Sequence, residues 1–326
     1  MAIRHDVSLI IPAFNRGNLI SETIDSALNQ TKRFYEIIVV NDGATDNTLD
    51  VLRCYGDRIR VITTANLGVQ SARNTGVAAA QTEWIALCDS DDLLETNYLE
   101  KILDSSILDS SCEIAFCNFI TFRDFTAFPD KFSQSPPNFF DGSNRDNSVL
   151  NNIPHLYKRS VEFQPLFPSG MIFRKSFFER IGGYNVKFKN VGAEDWEFTL
   201  RAISEGNIAV YLDPLVRVRK HAGNDSADSM RMCMGEAQIL EFGLKNHRGV
   251  DIYRKVILES IERRRRAAFD SAFAKGDFEQ TLSITQLLNK KPTDFNFQAK
   301  AWIAKLPAYI RQPVWWLSQK INNINN

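Results

Sequence analysis

Through the first hundred residues, short apolar runs rich in β-branched side chains alternate with segments of helical period. The runs are VSLIIPAF (7–14), EIIVVND (36–42), IRVITT (59–64) and EWIALCD (83–89), and the helical patterns fall at 18–30, 45–54 and 68–80. Strands that are apolar on both faces belong in a parallel sheet covered by helices on either side, so the pattern predicts βαβαβαβ. Asp46, followed by Asn47 and Thr48, marks a helix start, and the small residues of GVQSARNTGVAAA predict a helix lying close on the sheet.

Past Leu94 the alternation loosens. A helix near 96–108 is followed by a strand in CEIAFCNFITF, where Phe116, Phe119 and Phe122 are expected in the core. Residues 124–165, rich in Pro, Asn, Ser and Phe, predict a long irregular segment, either a lid or acceptor loop or plain surface. After IAVYLDPLVRVRKHAGN the pattern turns helical to the end, with a helix–helix junction at Gly276-Asp277. The chain is thus expected to divide into an α/β unit over 1–230 and a helical extension over 231–326.

Composition changes this picture little. A hydrophobic content of 44% with 24% charged residues is that of an ordinary globular protein. The formal charge is zero, but residues 236–326 hold fifteen Lys/Arg against nine Asp/Glu, which leaves the body acidic and the tail basic. Such asymmetry suits an anionic membrane surface, nucleic acid or a plain solvated helical face. Of these, nucleic acid is not an expected partner. Five cysteines without a C-x-x-C pair or an even-numbered framework predict reduced, mostly buried thiols. The N-terminal apolar run is short and broken by Pro12, and no run approaches the ~20 residues of a membrane span. The expectation is a cytoplasmic protein, with peripheral contact at the inner face of a membrane through the tail's Trp315-Trp316, Arg311 and Lys320, or with those aromatics packed on the body or in a homo-oligomer contact.

In an open parallel sheet, ligands bind at the carboxyl ends of the strands. Three ends here are polar: Pro12-Ala13-Phe14-Asn15, Asn41-Asp42-Gly43, and Asp89-Ser90-Asp91-Asp92. Asp42 is suited to the hydroxyls or base of a nucleoside. A G-x-G-x-x-G fingerprint and a P-loop are both missing, so phosphates need another neutralising partner. Asp89, Asp91 and Asp92 meet that need if they hold Mg²⁺ or Mn²⁺, which combine carboxylates with substrate phosphates and water. The plain alternative is that Asp91 or Asp92 caps the following helix.

VSLIIPAFNRG, ISETIDSALNQT, EIIVVNDGATDNT, NLGVQSARNTG and WIALCDSDD, in this order over residues 5–105, resemble the nucleotide-diphospho-sugar domain of family 2 glycosyltransferases. The likeness continues more loosely through GGYN, GAEDWEFTLR and RKHAGNDS to about residue 229. The resemblance implies an α/β GT-A fold, with a mostly parallel Rossmann-like central sheet flanked by helices, over 1–230. It implies an inverting, metal-dependent transferase that moves a sugar from a nucleotide diphosphate, UDP in the family's usual chemistry, to a saccharide or lipid-linked acceptor. Pro12, Phe14 and Asp42 are then expected at the base and ribose, and Asn66, Gly68 and Arg73 around the nucleotide. Asp89 and Asp91 would form the D-x-D pair, with Asp92 in support and Asp91 the preferred ligand of Mn²⁺ or Mg²⁺. His221 aligns with a residue that completes the metal site or touches the diphosphate. Glu194-Asp195 matches the family's acidic pair, with Asp195 as general base, although two acids also suit a helix N-terminus electrostatically. Trp196 is assigned to the acceptor wall or to the core. A sugar nucleotidyltransferase and a non-catalytic nucleotide-sugar-binding protein are the competing readings; the first needs a Gly-rich loop and the second predicts eroded acid motifs.

Overall fold

A computed structural model describes residues 5–105, 107–108, 111–124, 126–221, 228–289 and 292–324. The amino-terminal half opens β1 (Val7–Ala13), α1 (Ile20–Leu28), β2 (Glu36–Asn41), α2 (Thr48–Arg53), β3 (Arg60–Thr63), α3 (Val69–Ala79) and β4 (Trp84–Leu87), as the alternation predicts. β5 (Leu93–Leu94), α4 (Tyr98–Leu103), β6 (Ile114–Arg123), β7 (Thr126–Asp130), β8 (Asn144–Asp146), β9 (Val149–Asn151) and α5 (Leu156–Glu162) follow. β10 (Ile172–Arg174), α6 (Lys175–Arg180), α7 (Glu194–Glu205) and β11 (Ile208–Arg219) complete the α/β part. Five helices end the chain: α8 (Ser229–Asn246), α9 (Arg254–Ala274), α10 (Phe278–Leu287), α11 (Phe295–Lys305) and α12 (Ala308–Ile324).

The sheet runs β3-β2-β1-β4-β10-β6-β11-β9-β8. β3, β2, β1 and β4 are parallel; β10 is antiparallel to both its neighbours, and β6 pairs with β11 in parallel. Every residue of β1 is buried, because the two faces feed different cores: Leu9 and Ile11 enter one cluster and Ile10 the other. This is the expected mostly parallel α/β architecture with helices on both faces. Gly76 accounts for the close seat of α3: a methyl group there would lie 2.3 Å from Ile10 Cγ2 and 3.2 Å from Val40 Cγ2.

Residues 124–165 differ from the expected irregular segment. β7 pairs with β6, and the β8–β9 hairpin joins β11, before α5 closes the stretch. Two features that composition conceals account for the order. Buried Asn118 donates to Asp130 Oδ1 and Leu212 O and accepts from the backbone N–H groups of Phe119 and Phe132. Phe139 and Phe140 stack edge-on at 4.9 Å within a cluster that includes Phe132 and Phe163. Phe116, Phe119 and Phe122 are all core residues, as expected.

The helical end packs onto the α/β part through a shared apolar cluster of Trp196 and Leu200 from α7 with Ala237, Leu240, Ile257 and Ile261 from α8 and α9. Gly276 (φ +73°) ends α9, and Asp277 caps α10 by accepting from Gln280 N–H, at the predicted junction. The tail's tryptophans part company: Trp315 donates to Phe273 O at 2.7 Å and meets Phe278 edge-on, whereas Trp316 is 52% exposed with Lys320 Nζ 3.8 Å from its ring centre. Among the described residues no helix is long and apolar enough to cross a membrane. None of the five cysteines forms a disulfide, and Cys88, Cys112 and Cys117 are buried.

Candidate active site

Because β1 lies between β2 and β4, the three polar strand ends stand side by side. Pro12, one residue before the end of β1, is buried, while Phe14, just beyond the strand, is 39% exposed at the crevice lip. Asn15 turns left-handed (φ +51°), and its side-chain oxygen accepts from Thr45 N–H at 2.8 Å, tying the first strand end to the loop after the second. Asp46 anchors that loop by accepting from Gly17 N–H and Thr48 N–H, two residues ahead of α2, whose N-cap position is Asn47.

Asp42 is buried and works chiefly on its own backbone. Its Oδ1 accepts from the Thr64 hydroxyl and Leu67 N–H, and its Oδ2 from Gly68 N–H at 2.7 Å. These bonds shape the Asn66–Gly68 turn, where Asn66 (φ +52°) and Gly68 (φ +99°) lead into α3. Lys189, from the loop before α7, reaches across to donate to Asn66 O at 2.8 Å. Nothing in the sequence marks that lysine.

The four residues after β4 face different ways. Asp89 Oδ1 accepts from buried Arg73 at 2.6 Å, and the Arg73 guanidinium also lies 5.0 Å from the centre of the Tyr184 ring. Burial opposes the charge on Arg73, yet Asp89, Tyr184 and Asp195 hold its pKa above the ordinary value. Asp91 Oδ2 lies 3.0 Å from His221 Nε2 and 3.3 Å from Arg16 Nε. Asp92 points inward, accepting from the Ser169 hydroxyl at 2.5 Å and Arg219 N–H at 2.9 Å. Burial, followed by the neighbouring charges of Asp91 and Asp89, pushes the Asp92 carboxyl well above the usual range. None of these aspartates caps a helix, since α4 begins at Tyr98 with Asn97 before it. Arg219 bonds Asp91 O and Glu22, and both Arg217 and Arg219 lie over Phe122, so these two arginines face protein.

Among the described residues no three His, Cys, Asp or Glu side chains are grouped to enclose an ion. Asp91 with His221 still offers one carboxylate and one imidazole at a single spot. That donor set fits a Mg²⁺ or Mn²⁺ ion that takes its remaining ligands from substrate phosphates and water. Asp89 is turned to Arg73 instead. Residues 222–226 of the RKHAGNDS motif lie outside the described residues.

On the far side of Arg73 stands the first turn of α7. Glu194 folds back, its carboxylate accepting from Gly192 N–H at 3.1 Å. Asp195 faces the Arg73–Asp89 pair: burial pushes its carboxyl up to about 6, with Arg73 pulling down and Asp89 and Glu194 pushing up. Trp196 corrects the acceptor-wall expectation. It is fully buried, turned away from the crevice into the core shared with α8 and α9, and covered by the Arg264 guanidinium 4.8 Å from its ring centre. The helical period explains the outcome, since neighbours in a helix point about 100° apart and only one of Asp195 and Trp196 can face the crevice.

Residues that sequence reasoning left without a role are Arg16, Ser169, Tyr184 and Lys189. Arg16 carried a signal, one basic residue directly after a strand end; Ser169 is joined to the acids only by the path of the chain into β10.

The family profile described as glycosyl transferase family 2 matches residues 8–182, and one described as the N-terminal domain of galactosyltransferase matches residues 155–219. The chain is 28% identical over 282 residues to the hyaluronan synthase of Pasteurella multocida, which covers 85% of this chain and 26% of that protein. It is 43% identical over 108 residues to the chondroitin synthase of P. multocida strain Pm70, 32% of this chain and 11% of that one. It is 30% identical over 167 residues to TuaG of Bacillus subtilis, described as a putative teichuronic acid biosynthesis glycosyltransferase, 50% of this chain and 66% of that one. The chain therefore spans about a quarter of the first of these relatives and about a ninth of the second. The crystal structure of S. aureus TarS 1-349 in complex with UDP-GlcNAc superposes with a TM-score of 0.61 at 18% identity, covering 94% of this chain and 82% of that one. A shared GT-A fold, a family profile over more than half the chain, and the polar strand ends at the expected positions lead to one assignment: the chain belongs to glycosyltransferase family 2.

Proposed function

We propose that the protein is an inverting, metal-dependent glycosyltransferase that moves a sugar from a nucleotide diphosphate, UDP in the first instance, to a hydroxyl of a saccharide or lipid-linked acceptor in cell-surface polysaccharide synthesis. The observation that carries this reading is the placement of Asp195 in the first turn of α7, within electrostatic reach of the Arg73–Asp89 pair, where burial pushes its carboxyl up to about 6. A base with a pKa just below neutral is deprotonated at working pH yet basic enough to take a proton from an attacking hydroxyl. In a single displacement the acceptor oxygen attacks the anomeric carbon as the nucleotide leaves from the opposite face. Asp195 takes the hydroxyl proton as the new bond forms.

Asp91 and His221 are the residues proposed to hold Mn²⁺ or Mg²⁺. When bound, the ion neutralises charge growing on the leaving diphosphate. Arg16, beside Asp91, adds a fixed positive charge to the same rim. Asp42 acts by shaping the 66–68 turn on which the nucleoside is proposed to lie, with Pro12 and Phe14 at its base and Arg73 fixing Asp89. Relatives named for the synthesis of hyaluronan, chondroitin and teichuronic acid support a polysaccharide acceptor, and the TarS complex with UDP-GlcNAc supports a UDP-sugar donor.

The division into a catalytic unit over 1–230 and a helical extension over 231–326 is part of the proposal. So is a peripheral station on the inner face of a membrane, with the protein otherwise cytoplasmic. Residues 295–326 contain no acid and four Lys/Arg, and they expose Trp302, Tyr309, Trp316 and Leu317.

The test is turnover of a panel of UDP-sugars with Mn²⁺ and mixed saccharide acceptors, using wild type and Asp195→Asn. Donor-dependent transfer by wild type that Asp195→Asn loses supports the reading. Full transfer by the variant removes the base assignment, and transfer that persists in excess chelator removes the metal.

A further inference from the structure

The loop that delivers Asp195 has an unusual backbone. Asn190 (φ +62°), Gly192 (φ +92°) and Ala193 (φ +54°) are all left-handed, and Ala193 directly precedes α7. For asparagine and especially alanine this conformation is unfavourable and persists only where surrounding structure imposes it. Two backbones supply the constraint by close approach. A methyl group on Gly235, in the middle of α8, would fall 2.3 Å from Gly192 O and 2.5 Å from Val191 O; one on Gly192 would fall 3.0 Å from Arg231 O. Backbone carbonyls held on both sides cannot give way as the end of a flexible side chain can.

Two more tethers run from the helical extension to residues just past Asp195. Arg264 of α9 covers the Trp196 ring and is itself fixed by Glu236 Oε2 at 2.7 Å. His247, directly after α8, places Nε2 3.3 Å from Glu197 Oε1 and Nδ1 2.9 Å from the Tyr157 hydroxyl, all within the core. Glu197 also forms an ion pair with Arg201, which in turn donates to Ile181 O and Gly183 O. Residues 191, 192, 196 and 197 are therefore gripped by α8 and α9, and Asp195 lies between them.

We infer that the helical extension sets the position of Asp195, with Gly235 as the main positioning residue and Arg264 as the second. The inference rests on Asp195 being the general base. It goes beyond that assignment in making residues 229–266, beyond the stretch matched by the family profile, part of the apparatus that fixes the base while leaving the strand-end rim untouched.

The experiment compares full-length wild type, Gly235→Ala, Arg264→Ala and Arg264→Lys in two measurements. Steady-state kinetics separates kcat from the affinity for UDP. Gly235→Ala is expected to lower kcat about 10–100-fold, as a displacement of about 1 Å at a reacting group does, with UDP affinity within about twofold of wild type. Arg264→Ala follows with a smaller loss, and Arg264→Lys recovers part of it. Hydrogen exchange, which needs no turnover, is expected to run about tenfold or more faster at amides 191–197 in Gly235→Ala, with β1 and β4 unchanged. Unchanged exchange at 191–197 overturns the inference whatever the activity. Equal losses of kcat and UDP affinity do so too, because they indicate general loosening. If Gly235→Ala fails to fold, Arg264→Ala decides by the same two criteria. A wild-type Asp195→Asn rate sinks the base assignment instead, and the exchange result then still reports whether the extension holds the loop.

Discussion

The two rims of the crevice are built in opposite ways. At the strand-end rim, every acid meets its partners inside the α/β part: Asp42 holds its neighbouring turn, Asp89 pairs with Arg73, and Asp92 takes Ser169. At the α7 rim, Asp195 gains its position from helices that follow it by forty to seventy residues, and its pKa is raised by burial. The first rim is an electrostatic frame whose charges fix one another. The second is a single carboxyl, the proposed base, mounted on packing. On the proposed function, the frame governs affinity and the mount governs rate.

Asp195→Asn breaks the comparison most severely. It is expected to cut kcat by about 10²–10⁴-fold, the usual worth of a general base, while calorimetry finds UDP-sugar affinity near wild type. Arg73→Leu attacks the frame instead. Leaving Asp89 beside an apolar side chain costs about 3–5 kcal/mol of stability in urea unfolding, since a mostly buried carboxylate loses its counter-charge. An equal cost from Asp195→Asn would erase the distinction between the rims.

The pH profile sharpens the same contrast. The proposed base, Asp195, works deprotonated and its carboxyl is pushed up to about 6, so kcat is expected to be level above that value and to fall below it, about tenfold per pH unit, as the proton occupies the carboxylate. A flat profile down to pH 5 would place the base elsewhere. The smallest effect is expected in the tail. Trp316→Ala should change unfolding free energy by no more than about 0.5 kcal/mol, as exposed positions do. Trp315→Ala should cost about 2–3 kcal/mol through lost apolar burial and its bond to Phe273. Equal values would mean that the two faces of α12 are not distinct.

The strand-end rim was legible in the sequence because each of its parts is a local pattern: an apolar run, then a polar signature, with β-strand order bringing the ends together. Asp195 was legible only through the family resemblance. Its neighbour Trp196 stayed open between acceptor wall and core, because which side of α7 is covered depends on helices that lie far along the chain. Residues 124–165 were misread for a related reason: Asn118, which staples the stretch, stands outside it. Lys189 and Gly235 carry no motif at all. Their significance is a distance to another backbone, which composition and period do not encode.

Gly76 extends this point to the frame itself. Arg73 projects from α3 one turn before it, and α3 can lie so low on β1 and β2 only because position 76 has no side chain. The helix is in effect a gauge block: its standoff from the sheet determines how far Arg73 must reach to Asp89. A single added methyl at Gly76 would lift the block and lengthen the 2.6 Å contact at a site that the methyl never touches. Dimensional tolerance in the strand-end crevice is thus set in the hydrocarbon layer beneath it.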